Sequence, residues 1–476
     1  MNRWVRLILL LQFCAAACVQ VNNQQVRPEN ERRPLLFRGA RVVVGDGRVI
    51  EDAAILVRDG LLMQVGQNGD VTAPSDAVVI DVRGKTLMPA IVNAHSHLGW
   101  EAYTSWGSQN FTRENLIDNL YRHAYFGVGT VVSTASDRES IGLPVALDQK
   151  LGKIGGARYV LEPGLGTPGG GANPNFTNDT GWWGAGDGFY EPAAPEDARK
   201  AVRAEAAKGI QIFKIWVDNR DVQRGGRIKL SEDIYRAAID EAIVHDIKVL
   251  AHAPDVKDQK LLLRAGVRRI IHGPSQIDDE WISLMKDRNA YLIPTTQSSF
   301  RDPTFYEDPF FKAHVSAAVI ARLADPRNLG PIVAAQRPAT PNPTPLVSRE
   351  VADQRAKERF ARLVTSGIQI ILGADVGWGP TATHVGSFFG YAEQLELEAF
   401  VRLGMTPAQA ITAGTKLPAD AFGLNDVGSL ETGKAADFIV LDANPVDDIR
   451  NMRKISKVYL RGAELDRDAL RAKWTK

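Results

Sequence analysis

Apolar and polar positions along this chain change rhythm twice. From Phe37 onward, short apolar runs stop at turn residues: Arg41–Val44 ahead of Gly45-Asp46-Gly47, Ala53–Val57 ahead of Asp59-Gly60, and Val78–Val82 ahead of Gly84. The same texture returns near the other end, in Asp437–Asp442 and in Lys457–Arg461 before Gly462. Each segment is too small to bury much apolar surface alone. Together they predict one small β-sandwich built from both ends, residues 36–88 and 427–472, around a central domain.

Within that central stretch, residues 89–426, strand-like runs alternate with helix-like ones. Pro89 opens an apolar run that reaches His97. Further strands are predicted at Gly129–Ser133, Ala157–Leu161, Ile210–Trp216, Ile247–His252, Val267–His272, Tyr291–Pro294 and Ile368–Leu372. Helices are predicted at Arg113–Phe126, Ala194–Lys208, Glu232–Val244, Lys257–Ala265, Ile277–Asp287 and Glu350–Thr365. Thr406-Pro407 with Gln409 marks another helix start, a capping box with proline at the first helical position. Eight strands separated by helices define an α/β fold, a parallel (β/α)8 barrel of the TIM type. Two insertions break the rhythm, Gly164–Pro195 and Gln297–Ser348, and each follows a strand end, where such barrels carry their site-shaping loops. The first holds Trp182, Trp183, Phe189 and Tyr190 among many Gly and Pro residues and is expected to act as a lid.

The start of the chain has a different character. Arg3 and Arg6 precede the short apolar run Leu7–Phe13 and the small residues Ala15-Ala16-Ala17, so residues 1–18 read as a signal peptide. Cys18 directly after Ala17 resembles the lipid-modified cysteine of bacterial lipoproteins, which would tether the mature protein to a membrane; an ordinary signal peptide is the alternative. The expected location is exported, periplasmic or anchored on the periplasmic side. Residues 19–35, rich in Asn, Gln, Arg and Pro, read as a solvated linker. Cys14 and Cys18 are the only cysteines, so the exported body has neither a disulfide nor a cysteine metal ligand. A net charge of +1 gives no reason to expect nucleic acid as a partner. A small-molecule substrate is expected, and a homo-oligomer is left open.

Candidate chemistry collects at the predicted strand ends. His95 and His97 share one face of a strand, about 7 Å apart at Cα, so both imidazoles can reach one cation at roughly 2.1 Å. Lys214 lies near the end of the fourth strand, His252 ends the fifth, His272 the sixth, and Asp375 follows the eighth. In a barrel these ends converge on one rim. Four imidazoles and a carboxylate suit zinc. A lysine among cations is informative, because a neutral lysine that captures carbon dioxide becomes a carbamate, an anion able to bridge two metals. Trp216, Gln297 and Trp378 follow or flank strand ends and His384 lies in the loop after the eighth strand; all four are candidates to touch substrate. His123 and His245 lie in predicted helices and read as structural, and His314 lies in the second insertion without a nameable partner.

These motifs resemble the amidohydrolase superfamily, in its binuclear branch with imidazolonepropionase-like and Xaa-Pro dipeptidase-like enzymes. The likeness rests on His95-Ser-His97, the lysine strand, Ala251-His252, Ile271-His272-Gly273, Leu372-Gly-Ala-Asp375 and the tail Gly428–Asp437 with Asn444-Pro445. It departs at Pro89-Ala90 and Asn93, where the family often has Pro-Gly and Asp. The resemblance implies two divalent ions, most simply Zn2+, one held by His95, His97 and Asp375, the other by His252 and His272, with N-carboxylated Lys214 between them. It further implies hydrolysis of an amide, peptide or cyclic-amide C–N bond by a metal-bridging hydroxide, with Asp375 as the proton shuttle. Lactone or phosphotriester hydrolysis is the alternative within the superfamily, and a non-catalytic exported metal-binding protein the alternative outside it.

Overall fold

The structure, a computed structural model, describes residues 33–103, 105–167, 185–218, 229–274, 276–296, 305–324, 349–377 and 388–475. The signal-peptide and lipidation expectations lie outside the described residues, as do Trp182, Trp183, Gln297, Trp378 and His384. Among the described residues, no helix is long and apolar enough to cross a membrane.

Strands from the two ends of the chain share one sheet. Leu35–Val43 pairs antiparallel with Val49–Arg58, and that strand with Leu61–Gln67. Leu35–Val43 also pairs in parallel with Val78–Asp81 and Thr86–Pro89. Thr86–Pro89 then runs antiparallel to Phe438–Leu441, which pairs with Ile455–Leu460. The two ends are locked by aromatic packing: Phe37 meets Phe438 edge-on at 5.0 Å, and Phe438 stacks on Tyr459 at 4.9 Å. Ring pairs in these geometries add to the area they bury. The first strand begins at Leu35, one residue inside the stretch read as linker.

Thr86–Pro89 passes almost directly into Ile91–Ser96, which starts the parallel strands. Ile91–Ser96, Val128–Thr134 and Arg158–Glu162 form one parallel set. Gly164–Leu165, Ile212–Trp216, Lys248–His252, Arg269–Ile271, Tyr291–Ile293 and Gln369–Ile370 form another, with Phe189–Tyr190 beside Gly164–Leu165. Every residue of Ile91–Ser96, Val128–Thr134 and Ile212–Trp216 is buried, as for strands covered on both faces. Backbone bonds also join the two sets. The Lys214 N–H donates to the Pro163 carbonyl at 2.8 Å, and that of Ala94 to Leu372 at 2.9 Å. The N–H groups of Asp375 and His97 close the same seam on His95 and Val376.

Helices start where their caps say. Thr112, Asp255 and Asp278 each accept a first-turn N–H, and Thr406 with Gln409 forms the reciprocal capping box before Pro407–Ala413. Several helices escaped the sequence pattern, for identifiable reasons. Glu139–Lys150 carries Pro144 inside it, which removes a backbone donor and interrupts any helical reading. Tyr391–Arg402 buries Glu393, Gln394 and Glu396, so its inward face does not look apolar. Lys416–Phe422 and Arg467–Trp474 are short helices read only as part of the domains around them.

Candidate metal centre

The histidine strand and the segment after Gln369–Ile370 bring three candidate ligands together, two imidazoles and a carboxylate. Asp375 Oδ1 lies 3.1 Å from His95 Nε2 and 3.3 Å from His97 Nε2. One ligand atom from each of the three residues falls within 4.8 Å of the others, a grouping able to hold a metal ion. Backbone shape makes the convergence possible. Asp375 and His272 adopt left-handed φ values of 51° and 69°, which turn the chain sharply at the strand ends. Such conformations cost about 1–3 kcal/mol for non-glycine residues and gather at functional sites. Gly377 follows at φ 106°, where a Cβ would run into the His97 carbonyl, so only glycine lets the two segments close up.

The second pair of imidazoles meets at a single point. His272 Nε2 lies 3.0 Å from His252 Nδ1, and the His95 and His272 rings are 6.1 Å apart. Lys214 is fully buried; its Nζ lies 4.8 Å from the centre of the Trp216 ring and has no hydrogen-bond partner among the described residues. An unpartnered buried ammonium is costly, and burial accordingly pushes the Lys214 pKa down to about 8, against the pull of Glu162 and Asp375. Burial also lowers His95, His97 and His272, leaving neutral imidazoles with lone pairs free to ligate. For Asp375 burial works upward, but charge on the facing His95 and His97 side outweighs it and holds the carboxyl well below the ordinary range. With those rings neutral, that charge would have to come from a cation held by all three. Glu162 ends the neighbouring strand fully buried, with neither carboxyl oxygen bonded among the described residues, and burial lifts it to about 8.

Around these groups stands a polar scaffold that the sequence reading missed. Thr134 Oγ1 meets His95 Nδ1 at 2.9 Å while donating to the Ser96 carbonyl at 3.1 Å, so it accepts from Nδ1–H and leaves His95 Nε2 unprotonated. Ser136 Oγ meets His97 Nδ1, Thr295 Oγ1 meets His272 Nδ1, and Asp218 Oδ2 meets His252 Nε2, each at 2.9 Å. A usable signal existed: these oxygens lie at or within two residues of a strand end. Asn93, the departure from the family pattern, is buried beside Glu393. Its amide donates to Glu393 Oε1 at 2.6 Å, while its oxygen accepts the N–H groups of His95 and Ala374. Glu393 also meets His123 Nε2 at 3.0 Å. Of the remaining candidates, Trp216 packs with Trp100, Phe111 and Phe189 under the site; His245 pairs with Glu241, and His314 packs on Phe310.

Asp137, next to Ser136, gives a pH test of this scaffold. Its carboxyl is raised to about 7 by burial, against donation from Ser133 Oγ and Tyr159 Oη. The unfolded chain ionises this group near its ordinary value while the fold keeps it protonated, so its contribution is complete in acid and lost as pH climbs to 7. Asp137→Asn should therefore gain on wild type between pH 5 and pH 8 by on the order of 1–3 kcal/mol in urea unfolding. An offset that is the same at both pH values would mean the fold holds the ionised carboxylate.

A parallel α/β protein with a buried histidine–carboxylate cluster at its strand ends defines a class of hydrolase. The match to known sequences names the family: the chain belongs to the Amidohydrolase family, over residues 86–465, and is a hydrolase. It is 25% identical to ochratoxinase of Aspergillus niger over 91% of this chain and 88% of that enzyme. It is 26% identical to imidazolonepropionase of Deinococcus radiodurans, over 91% and 96%. Among solved structures, molinate hydrolase aligns over 92% of this chain and 96% of its own, at TM-score 0.69 and 20% identity. A Xaa-Pro dipeptidase with bound methionine aligns over 91% and 99%, at TM-score 0.67 and 20% identity. The family and these neighbours imply an α/β fold of the TIM-barrel type. Members generally use divalent metal ions and act on small molecules.

Proposed function

We propose that this chain is a binuclear metal-dependent amidohydrolase that cleaves an amide, peptide or cyclic-amide C–N bond in a small molecule. In this reading the two parallel sets close as a (β/α)8 barrel, and the sheet from the chain ends is its β-sandwich. The observation that carries the function is the Lys214 amine, fully buried beside the imidazoles and without a hydrogen-bond partner among the described residues. A side chain left in that state fits a modified form. The neutral amine forms an N–C bond to carbon dioxide, one C=O pair moves onto oxygen, and the amine proton leaves to water, giving a carbamate. The donor set fits two cations: His95, His97 and Asp375 would hold one, His252 and His272 the other, and the Lys214 carbamate would serve both.

Two divalent cations, when bound, lower the pKa of a shared water and draw charge off a scissile carbonyl. The chain's own residues do the rest. Asp375, ionised beside the cation it would share with His95 and His97, accepts the proton of the attacking water at its carboxylate and returns it to the leaving nitrogen. Thr134, Ser136, Thr295 and Asp218 keep the four rings from turning away. We further propose export, guided by residues 1–18, with Cys18 as a lipid tether. A panel of dipeptides, N-acyl amino acids, cyclic amides, lactones and phosphotriesters tests the activity, with and without chelator. Turnover of a C–N substrate that stops with chelator and returns with Zn2+ is the expected result. Turnover of lactones or phosphotriesters alone, or chelator-insensitive turnover, would overturn it.

A further inference from the structure

Each of the four clustered imidazoles is anchored on its outer nitrogen by an oxygen, and three of those oxygens are hydroxyls. Thr134, Ser136 and Thr295 bind Nδ1 of His95, His97 and His272, so these rings present Nε2 inward. His252 differs in both respects. Its anchored nitrogen is Nε2, 2.9 Å from the Asp218 carboxylate, and its inward nitrogen is Nδ1, 3.0 Å from His272 Nε2. A hydroxyl can donate or accept, and Thr134 accepts because its own proton goes to the Ser96 carbonyl; an ionised carboxylate can only accept.

We propose that Asp218 is the positioning residue of the His252–His272 half of the centre, fixing the His252 proton on Nε2 and aiming the Nδ1 lone pair at a cation. This rests on the binuclear reading above. Asp218 lies two residues past Trp216, where the strand that carries Lys214 ends, and the intervening Val217 N–H donates to the His252 carbonyl at 2.8 Å. One strand therefore supplies the lysine, grips the backbone of His252 and orients its ring. A negative charge on the far side of an imidazole also strengthens the near nitrogen as a donor. Asp218 thus makes the two halves unequal: three hydroxyl-anchored rings and one carboxylate-anchored ring.

Two measurements decide it. In chelator-stripped protein with 15N-labelled histidine, assigned through His252→Gln, His252 should carry its proton on Nε2. The preference should be lost in Asp218→Ala and kept in Asp218→Glu. In Zn2+ titrations against a competing chelator, wild type should show two sites. Asp218→Ala should keep one unchanged and weaken the other by roughly 10–100-fold. If Asp218→Ala fails to fold, Asp218→Asn, the same size without the charge, should show the same one-sided weakening to a smaller degree. An Nδ1–H tautomer in wild type, unchanged affinity at both sites, or equal weakening of both would overturn the proposal. A wild type that takes up one Zn2+ overturns the binuclear reading instead, while the tautomer measurement still decides the role of Asp218.

Discussion

Lys214→Met is expected to abolish binding of the second cation, lower kcat/KM by about 10³-fold, equivalent to about 4 kcal/mol of barrier, and leave the cation-free fold as stable as wild type or more so. The three effects have one origin. In the cation-free protein the Lys214 amine is fully buried without a hydrogen-bond partner among the described residues, a state that opposes folding. Methionine has similar length and no charge, so it fills the space and removes the penalty, as apolar replacements of buried ions often do. It cannot accept carbon dioxide, so His252 and His272 lose the anion they would share with the other site. Metal analysis should fall from about two equivalents per chain to about one, while thermal unfolding of chelator-stripped protein moves upward or not at all. A large drop in stability would show that the amine has a structural partner, and two retained cations would show that it bridges nothing. Lys214→Ala separates the remaining possibility: the cavity it leaves is open to a short carboxylate, and added acetate or propionate should restore part of the lost activity.

The strand ends were readable in the sequence because buried parallel strands are short, apolar and punctuated, and the candidate ligands fall where the punctuation begins. His252 closes Lys248–His252, and His272 directly follows Arg269–Ile271. The outer shell was hidden for the opposite reason. Thr134, Ser136, Thr295 and Asp218 are ordinary polar residues near chain turns, and only the fold shows that each faces an imidazole nitrogen. Asn93 illustrates the point. Read alone it is a departure from an expected acid; in the fold it sits beside Glu393, already a buried carboxylate on the helix Tyr391–Arg402. A second acid there would put two like charges in contact, so an amide that donates to Glu393 and accepts from two backbone N–H groups satisfies every partner. That helix escaped the pattern for the same reason: its buried face carries Glu393, Gln394 and Glu396.

Asp375→Asn is expected to leave a folded protein that still binds both cations, with kcat reduced by about 10²–10⁴-fold. Asparagine keeps the size and one oxygen of the side chain, and it tolerates left-handed backbone better than most residues, so φ 51° at this position should survive. What it cannot do is take a proton. The carboxylate lies within 3.3 Å of both His95 and His97, where a cation held by all three would keep it ionised and leave a base at the centre without a further side chain. Two readouts separate proton transfer from simple loss of a ligand. Wild-type kcat/KM should fall on the acid side as Asp375 takes up a proton, and that limb should disappear in the variant. The defect should also shrink for substrates whose leaving group departs without protonation, such as a p-nitrophenyl ester, and remain full for an unactivated amide. An equal loss on both substrates, with the acid limb intact, would move the proton-transfer role to another residue.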